Sequence, residues 1–382
     1  MAILKRLKDL WRRIQIHRLW RPITDGLTLQ ELWTQFRSEA GASYRQHTWE
    51  IERGLPDEPG WKRRLKLAGA LFWAMLMRLP PARRVFLLLV LLLVIAGGRD
   101  RDPVRVLLGA MGLFLLLALE LADRVAMKRD LEIARDIQRW LLPQSPPSIP
   151  GVEIAFITRP ANTVAGDFYD AFTRPVSGGA EPARRLLLVV VADVAGKGVP
   201  AALLMATFQA SLRTLAETGL PLVELVTRLN LYSCQYSLEG RCFTTALLAE
   251  LDPATGALTY VNAGHNRPVL SRETGETVRL EAGGLPLGIR PDAAYESGSL
   301  VLASGDRLVI FTDGVVEAEN RQGEDYGEAR LLGLLREMGD VEALEGLGRV
   351  MTSVETFVGG ARQQDDVTCL LMRYGGPVPP DY

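Results

Sequence analysis

The chain has 382 residues with 44 Lys or Arg and 45 Asp or Glu, so its formal net charge of −1 gives no global attraction to nucleic acid. Three cysteines without metal-motif spacing, and three histidines without an HExxH pattern, argue against a zinc site and indicate reduced thiols in a cytosol-facing domain. Hydrophobic residues make up 48% of the chain, and the excess concentrates between residues 65 and 122.

Residues 1–60 begin with a basic, Trp-bearing segment whose polar residues come too early for a cleaved signal peptide. Leu4, Leu7, Leu10 and Ile14 recur at helical spacing with basic residues between them. Such a helix suits the anionic face of a membrane, and packing on a neighbouring helix explains the pattern equally well. We expect a cytoplasmic helical region here.

Two apolar runs, Val85–Gly98 and Val106–Ala122, predict a membrane-associated hairpin within residues 61–122. Each is shorter than the roughly 20 residues of a typical span, but Arg side chains at the ends extend the usable length by snorkelling. Flanking basic residues favour a cytoplasmic position for both ends, although Arg99 and Arg101 in the connector weaken that signal. The prediction is an inner-membrane hairpin with the following domain in the cytoplasm; a soluble helical domain is the alternative.

No Pro or Gly occurs from Leu113 to Leu142, so the second membrane helix is predicted to continue as a linker helix. The linker and its Pro-rich boundary occupy residues 123–151. One apolar edge of this helix suits contact with a second copy, giving a homodimer, or with the catalytic domain; its residues are Ile133, Ile137 and Leu141. A passive spacer has the same pattern.

Residues 152–374 alternate short apolar strands with turn residues and a few long helices, which is typical of an α+β domain of antiparallel sheets covered by helices. Residues 375–382 form a predicted loose tail.

Asp193 follows the apolar strand Leu186–Ala192 and precedes a Gly-bracketed turn into a helix. Alone, Asp193 would be interpreted as a helix cap. Three further acidic motifs in the same region change that interpretation: Ala165–Asp170, Phe311–Ala318 and Gln363–Thr368. Clustered carboxylates repel one another unless cations lie among them, and oxygen ligands suit Mg²⁺ or Mn²⁺. Two such ions can hold a hydroxide and clamp a phosphoryl group, which needs no side-chain nucleophile.

An ordered set of motifs resembles the PPM-type metal-dependent protein serine/threonine phosphatases, in their SpoIIE/RsbU-like branch. The motifs are EIARDIQRWLLPQSPP, RPANTVAGDFYD, VADVAGKGVPAALLMA, FTTALLAELDPATGALTYVNAGHNRP, GLPLGI, GDRLVIFTDGVVEAEN and QQDDVT. The resemblance covers about Leu131–Tyr374 and leaves out Met1–Ala122. It implies a PPM-type β-sandwich flanked by helices, here preceded by the helical membrane hairpin and the linker helix, with two Mn²⁺ or Mg²⁺ ions at one edge.

The resemblance also implies the residues of the site. The metal carboxylates would be Asp167, Asp193, Asp313 and Asp365, with Asp366 as the adjacent alternative to Asp365 and the Val194 carbonyl as a backbone ligand. Asp170 is interpreted as structural.

Three further residues are candidates for catalysis. His265 either holds a turn by hydrogen bonds or protonates a leaving alkoxide. Lys197 and Arg159 either bind phosphate or are solvated at the surface.

The implied function is that of a membrane-tethered phosphatase that hydrolyses phosphoserine or phosphothreonine on a regulatory protein, with water activated by two metal ions. The resemblance suggests a phosphorylated anti-sigma-factor antagonist as the partner. The alternative is a non-catalytic scaffold that keeps the fold and binds the same partner.

Overall fold

The computed structural model describes residues 79–175, 185–236, 242–281, 283–361 and 363–377, together with Gly69, Trp73, Leu76 and Met77. The predicted N-terminal helical region and the end of the tail lie outside these residues. The chain divides into two compact units, Met1–Asp123 and Arg124–Tyr382.

The described part of the first unit contains two helices, α1 (Pro81–Asp100) and the beginning of α2 (Pro103–Leu141). Arg101 adopts a left-handed conformation with φ 55° between them, and the backbone N–H of Asp102 donates to the Gly97 carbonyl at 2.8 Å. A Cβ at Gly109 would lie 2.3 Å from Cγ2 of Val94, so this glycine lets the helices approach closely. The two helices therefore form a tight hairpin.

Arg83 of α1 pairs with Asp123 of α2 at 2.6 Å and with Glu120 at 3.4 Å, at the end of the hairpin away from the turn. Between the charged ends, many large apolar side chains are exposed, including Leu92, Ile95 and Phe114. Both helices are long and apolar enough to cross a membrane by length and composition.

The second unit contains the end of α2 and, in chain order, ten strands and five helices among the described residues. They are β1 (Val152–Arg159), β2 (Asp167–Pro175), β3 (Arg185–Val194), α3 (Val199–Ala216), α4 (Leu222–Gln235), β4 (Thr244–Leu251), β5 (Ala257–Ala263), β6 (Val269–Ser271), β7 (Thr277–Arg279), β8 (Gly298–Val301), β9 (Arg307–Phe311), α5 (Asp313–Val316), α6 (Glu328–Glu337), α7 (Ala343–Val358) and β10 (Val367–Tyr374).

The strands form two antiparallel five-stranded sheets. The first has the order β1-β10-β9-β6-β7 and the second the order β2-β3-β4-β5-β8. Because side chains alternate along a strand, each sheet has one face toward the other sheet and one toward helices. In β3, Leu187, Val189 and Val191 point between the sheets, while Leu188 and Val190 point toward α3 and α4.

Three apolar cores follow from this layering. One fills the space between the sheets, one lies between the second sheet and the helices α3 and α4, and one lies between the first sheet and the helices α6 and α7. The result is a four-layer α–β–β–α sandwich, which confirms the predicted fold class. Strand ends from both sheets carry the acidic motifs.

Candidate metal centre

The predicted metal carboxylates come from both sheets and meet at one edge of the sandwich. Asp167 opens β2 and lies directly opposite Asp193 of β3 in the ladder. In the first sheet, Asp313 opens α5 immediately after β9, while Asp365 precedes β10, the strand beside β9. Antiparallel pairing thus places loop-borne carboxylates next to one another, since the start of one strand lies beside the end of its neighbour.

Burial and mutual repulsion raise the pKa of these carboxyl groups. For Asp193, burial together with the charges of Asp313 and Asp365 raises the pKa to about 6. Burial, followed by the charge of Asp193, raises the pKa of Asp167 well above its usual range. Burial and then the charge of Asp365 raise the pKa of Asp313. Such a group of acids is stabilised by a cation placed among them.

Two neighbouring side chains, the hydroxyl of Thr312 and the carboxylate of Asp366, hold the residues of the centre in place. The Thr312 hydroxyl donates to Oδ2 of Asp167 at 2.9 Å, and both groups are buried. Asp366 accepts from the backbone N–H of Ala161 at 2.8 Å and from that of Gly166 at 2.7 Å, so both its oxygens bind backbone. Asp366 therefore fastens the loop before β2, whereas Asp365 lines the open cavity beside the centre.

Glycine is required at two positions where backbone comes close to the carboxylates. A Cβ at Gly166 would lie 3.0 Å from the Val194 carbonyl oxygen and 3.6 Å from Oδ1 of Asp193. A Cβ at Gly314 would lie 2.0 Å from the carbonyl oxygen of Asp366. The bare backbone of Gly166 leaves room beside the Val194 carbonyl, the predicted backbone ligand.

The donor set fits a hard divalent cation, because it consists of carboxylate and carbonyl oxygens whose charges repel in the absence of a cation. The side chains are nevertheless not arranged as a finished coordination sphere: among the described residues, no group of three or more His, Cys, Asp or Glu side chains is placed to hold one ion. Part of the carboxylate oxygens are engaged by protein donors, as for Asp167 with Thr312 and for Asp365 with Lys197.

A cavity of about 730 Å³ opens beside the carboxylates. Two predicted phosphate-binding residues, Lys197 and Arg159, line it. Lys197 pairs with Asp365 at 2.9 Å, whereas Arg159 pairs with Glu355 of α7. Both cations thus face the cavity, and only the pair of Lys197 includes a predicted metal carboxylate.

His265 is buried, and its partner Thr245 lies opposite Asp193 in the ladder of β3 and β4. Its Nδ1 is 2.9 Å from the Thr245 hydroxyl, and its backbone N–H donates to Asn262 at 2.7 Å. Burial lowers the pKa of His265 to about 4. A neutral, buried imidazole suits the interpretation as a turn residue better than that of a proton donor.

Asp170 is fully buried and accepts two 2.7 Å hydrogen bonds from the guanidinium of Arg213. This contact bears out its interpretation as structural.

Sequence reasoning missed one residue that connects the linker helix to the centre. Gln138 of α2 is buried and binds the backbone of Ala165 twice, donating from Nε2 to the carbonyl at 2.7 Å and accepting from the N–H at 3.0 Å. Ala165 precedes Gly166 and Asp167, so Gln138 positions the loop that leads into the metal centre. Its single sequence signal was a polar residue next to the apolar edge formed by Ile137 and Leu141.

Comparison with known proteins gives a consistent family. The family model described as Stage II sporulation protein E (SpoIIE) matches residues 183–375. The phosphoserine phosphatase RsbU of Bacillus subtilis is 31% identical over 198 residues, which cover 52% of this chain and 56% of RsbU. Protein IcfG of Synechocystis sp. is 28% identical over 281 residues, which cover 67% of this chain and 43% of IcfG. This chain therefore spans about half the length of these curated relatives.

Solved structures give the same fold. The SiaA-PP2C domain of Pseudomonas aeruginosa superposes with a TM-score of 0.57 at 22% sequence identity, covering 66% of this chain and 99% of that domain. At this identity the likeness concerns the fold of the sandwich.

Proposed function

This chain belongs to the SpoIIE family, and from that premise we propose that it is a metal-dependent phosphatase acting on phosphoserine or phosphothreonine of a regulatory protein. The observation that carries the proposal is the group of carboxylates from both sheets whose pKa values rise through burial and through one another's charge. Buried carboxylates that repel one another, with Asp365 at the wall of the adjoining cavity, support a bound cation at this edge.

The proposed ligands are Asp167, Asp193, Asp313 and Asp365, with the carbonyl of Val194. Asp365 is preferred to Asp366, because both oxygens of Asp366 bind backbone N–H groups. Bound Mn²⁺ or Mg²⁺ ions, two in number, would polarise the phosphoryl oxygens and make a nearby water more acidic. The protein itself holds the carboxylates in place and binds the phosphate through Lys197. Gly166 has no side chain and so leaves space beside the Val194 carbonyl.

We further propose that the hairpin of α1 and α2 inserts in the inner membrane and that the sandwich lies in the cytoplasm. The exposed apolar side chains of the hairpin and the charged residues at its ends support its insertion in a membrane. A phosphorylated anti-sigma-factor antagonist remains the proposed partner. This proposal is supported by the membership of the chain in the SpoIIE family and by its similarity to the phosphoserine phosphatase RsbU.

The test measures phosphate release from a phosphoserine peptide by the full-length protein, with Mn²⁺ and with a chelator, beside Asp193→Asn and Asp170→Asn variants. We expect Mn²⁺-dependent turnover in the wild type and a loss of at least 10²-fold in Asp193→Asn, since this change removes charge from the centre. Asp170→Asn is the control for burial, because Asp170 is also a buried acid, in β2, but pairs with Arg213.

Circular dichroism establishes which variants are folded. Turnover unaffected by chelator, or near-normal activity in folded Asp193→Asn, would reject the assignment. Metal binding without any turnover would favour the non-catalytic scaffold.

A further inference from the structure

Lys197 holds one of the proposed metal carboxylates by a direct ion pair. Its Nζ lies 2.9 Å from Oδ2 of Asp365 and donates to the carbonyl oxygen of Gln364 at 2.8 Å. Both side chains of the pair are about half exposed at the wall of the cavity. The ammonium therefore occupies a position beside Asp365 from which it neutralises that carboxylate.

The positive charge of Lys197 also acts on Asp313 of the proposed metal centre and on Glu317 at the cavity wall. It opposes the rise in pKa of Asp313, which is caused first by burial and then by the charge of Asp365. It likewise opposes the rise in pKa of Glu317, which burial causes first and the charge of Asp313 second. The ammonium is thus a minor favourable charge for these two carboxylates, and its direct partner is Asp365.

The turn that carries Lys197 has open space at both of its flanking glycines. Its neighbours Gly196 and Gly198 have φ of 112° and 75°, and a Cβ at either position would meet nothing within 4 Å. The Lys197 ammonium itself is about half exposed, and it is held by the Asp365 carboxylate and the Gln364 carbonyl. A half-exposed pair of this kind contributes little stability, so a stronger cation can displace it.

We propose that Lys197 is a displaceable counter-ion of the metal centre: it neutralises Asp365 until a divalent cation takes that carboxylate, and it then binds the phosphate oxygens of the substrate. The inference rests on the proposed function. An ammonium that is paired with Asp365 is not free to bind phosphate. The metal ion must therefore bind Asp365 before Lys197 can bind the phosphate.

If Lys197 competes with the metal ion for Asp365, removing its charge should raise the affinity for Mn²⁺ and lower the affinity for phosphate. Removing the ammonium removes a competitor for Asp365, so Mn²⁺ binds more tightly to Lys197→Met. The same change removes a cationic donor for phosphate, so the Mn²⁺-saturated variant binds phosphate more weakly. A lysine with a purely structural role at the turn would weaken both affinities or neither.

The experiment titrates Mn²⁺ into the full-length protein by isothermal calorimetry and then titrates inorganic phosphate into the Mn²⁺-saturated protein. The variants are Lys197→Met and Lys197→Gln, which differ in shape but both lack the charge. Arg159→Met is the matched control for the Mn²⁺ titration, because Arg159 lines the same cavity and pairs with Glu355, outside the proposed ligands.

We expect both Lys197 variants to bind Mn²⁺ about three- to fivefold more tightly than the wild type, the range that a half-exposed ion pair of up to about 1 kcal/mol allows. Arg159→Met should keep the wild-type Mn²⁺ affinity, and phosphate should bind the Lys197 variants at least threefold more weakly. Unchanged or weaker Mn²⁺ binding in folded Lys197 variants overturns the proposal, as does an equal gain in Arg159→Met.

The phosphopeptide assay separates this inference from the proposed function. If the wild type binds Mn²⁺ but releases no phosphate, the phosphatase assignment fails, while the Mn²⁺ titrations still decide whether Lys197 competes for Asp365. If the wild type is active and the Mn²⁺ affinities are equal, only the counter-ion proposal fails.

Discussion

At the scale of single residues, a row of three threonines joined by hydrogen bonds connects the edge strand β1 to Asp167 of the proposed metal centre. The Thr158 hydroxyl lies 2.8 Å from that of Thr368, the Thr368 backbone N–H donates to Oγ1 of Thr312 at 3.0 Å, and Thr312 donates to Asp167. Thr312 and Thr368 are fully buried. The row fixes the orientation of the Asp167 carboxylate, which burial alone leaves undetermined.

We therefore predict that Thr312→Val, which keeps the shape of the side chain, lowers Mn²⁺ affinity by about tenfold. A hydrogen bond to a charged group contributes about 1.5–3 kcal/mol, and part of that is lost with the orientation of Asp167. The measurement is calorimetric titration with Mn²⁺ in folded protein. Thr158→Val is the control, since Thr158 lies at the far end of the row; equal affinities in the two variants would contradict the prediction.

His265 gives a prediction about pH. Because burial lowers its pKa to about 4 in the folded state, the unfolded chain binds a proton near the ordinary pKa of about 6.5 while the folded chain stays neutral. Above pH 6.5 the imidazole is neutral in both states and does not oppose folding. As the pH drops from 6.5 toward 4, protonation of the unfolded chain lowers the free energy of unfolding. The full loss is roughly 3 kcal/mol.

The test compares the free energy of unfolding by urea between pH 7.5 and pH 5 for the wild type and His265→Gln. Carboxylate titration is common to both proteins, so their difference isolates the imidazole. We expect the variant to lose less stability over this range. Parallel losses would show that His265 is not held neutral in the fold.

The four candidate carboxylates could be singled out in the sequence because they occur in ordered motifs at strand ends, and the fold brings all four to one edge. Their role as metal ligands stays a proposal. Sequence reasoning did not identify Thr312 or Gln138, whose roles depend on register and on tertiary contact. A threonine before Asp313 looks like a helix cap in sequence, and the structure gives it no capping hydrogen bond. Its partner, Asp167, is 145 residues away in sequence.

At the scale of secondary-structure elements, the predicted strand Leu186–Ala192 agrees with β3 (Arg185–Val194) to within two residues at each end, whereas no strand was predicted for β2. Its sequence DFYDAFTRP carries Asp170 and Arg174 where a strand would have apolar residues. In the fold these side chains are buried and paired, Asp170 with Arg213 and Arg174 with Glu250. Charged residues that neutralise each other inside the protein conceal a buried strand from hydrophobic periodicity.

The linker helix yields an element-scale prediction at Gln138. We expect Gln138→Ala to lower phosphatase turnover at saturating Mn²⁺, because it leaves the backbone N–H and carbonyl of Ala165 without their buried partner. Loss of two hydrogen bonds should also lower the free energy of unfolding by about 2 kcal/mol.

Gln144→Ala is the matched control, since Gln144 is exposed and donates to carbonyls near the end of the same helix. Both variants are compared by urea unfolding and by the phosphopeptide assay. The positioning role is refuted if Gln138→Ala lowers stability but, in the folded fraction, retains the turnover and Mn²⁺ affinity of Gln144→Ala.

At the scale of the whole molecule, α2 belongs to both compact units, since it runs from Pro103 to Leu141 and the units meet in sequence at Asp123 and Arg124. The absence of Pro and Gly after Leu113 predicted this continuity from sequence. Its length of 39 residues corresponds to about 58 Å of helix. The predicted domain boundaries and the homodimer along the Ile133, Ile137 and Leu141 edge stay predictions.

A continuous helix can transmit a rotation or displacement, whereas a flexible joint cannot. We predict that inserting Gly-Gly after Ala126 leaves the sandwich active but removes any dependence of its activity on the membrane segment. Each glycine disfavours helix by about 1 kcal/mol, and the insertion falls between the hairpin and Gln138, so the contacts of Gln138 with Ala165 are retained.

The assay compares the full-length protein in lipid vesicles and in detergent with the insertion variant in the same two environments, all at saturating Mn²⁺. A matched Gly-Gly insertion after Gly323, in an exposed turn with open space around it, controls for added chain length. If the helix couples the membrane to the site, turnover in vesicles should differ from turnover in detergent for the wild type and for the Gly323 insertion. The Ala126 insertion should have the same turnover in both environments. If lipid leaves all three rates unchanged, α2 only tethers the sandwich, because a site that responds to the membrane through the helix must have two states that the membrane distinguishes.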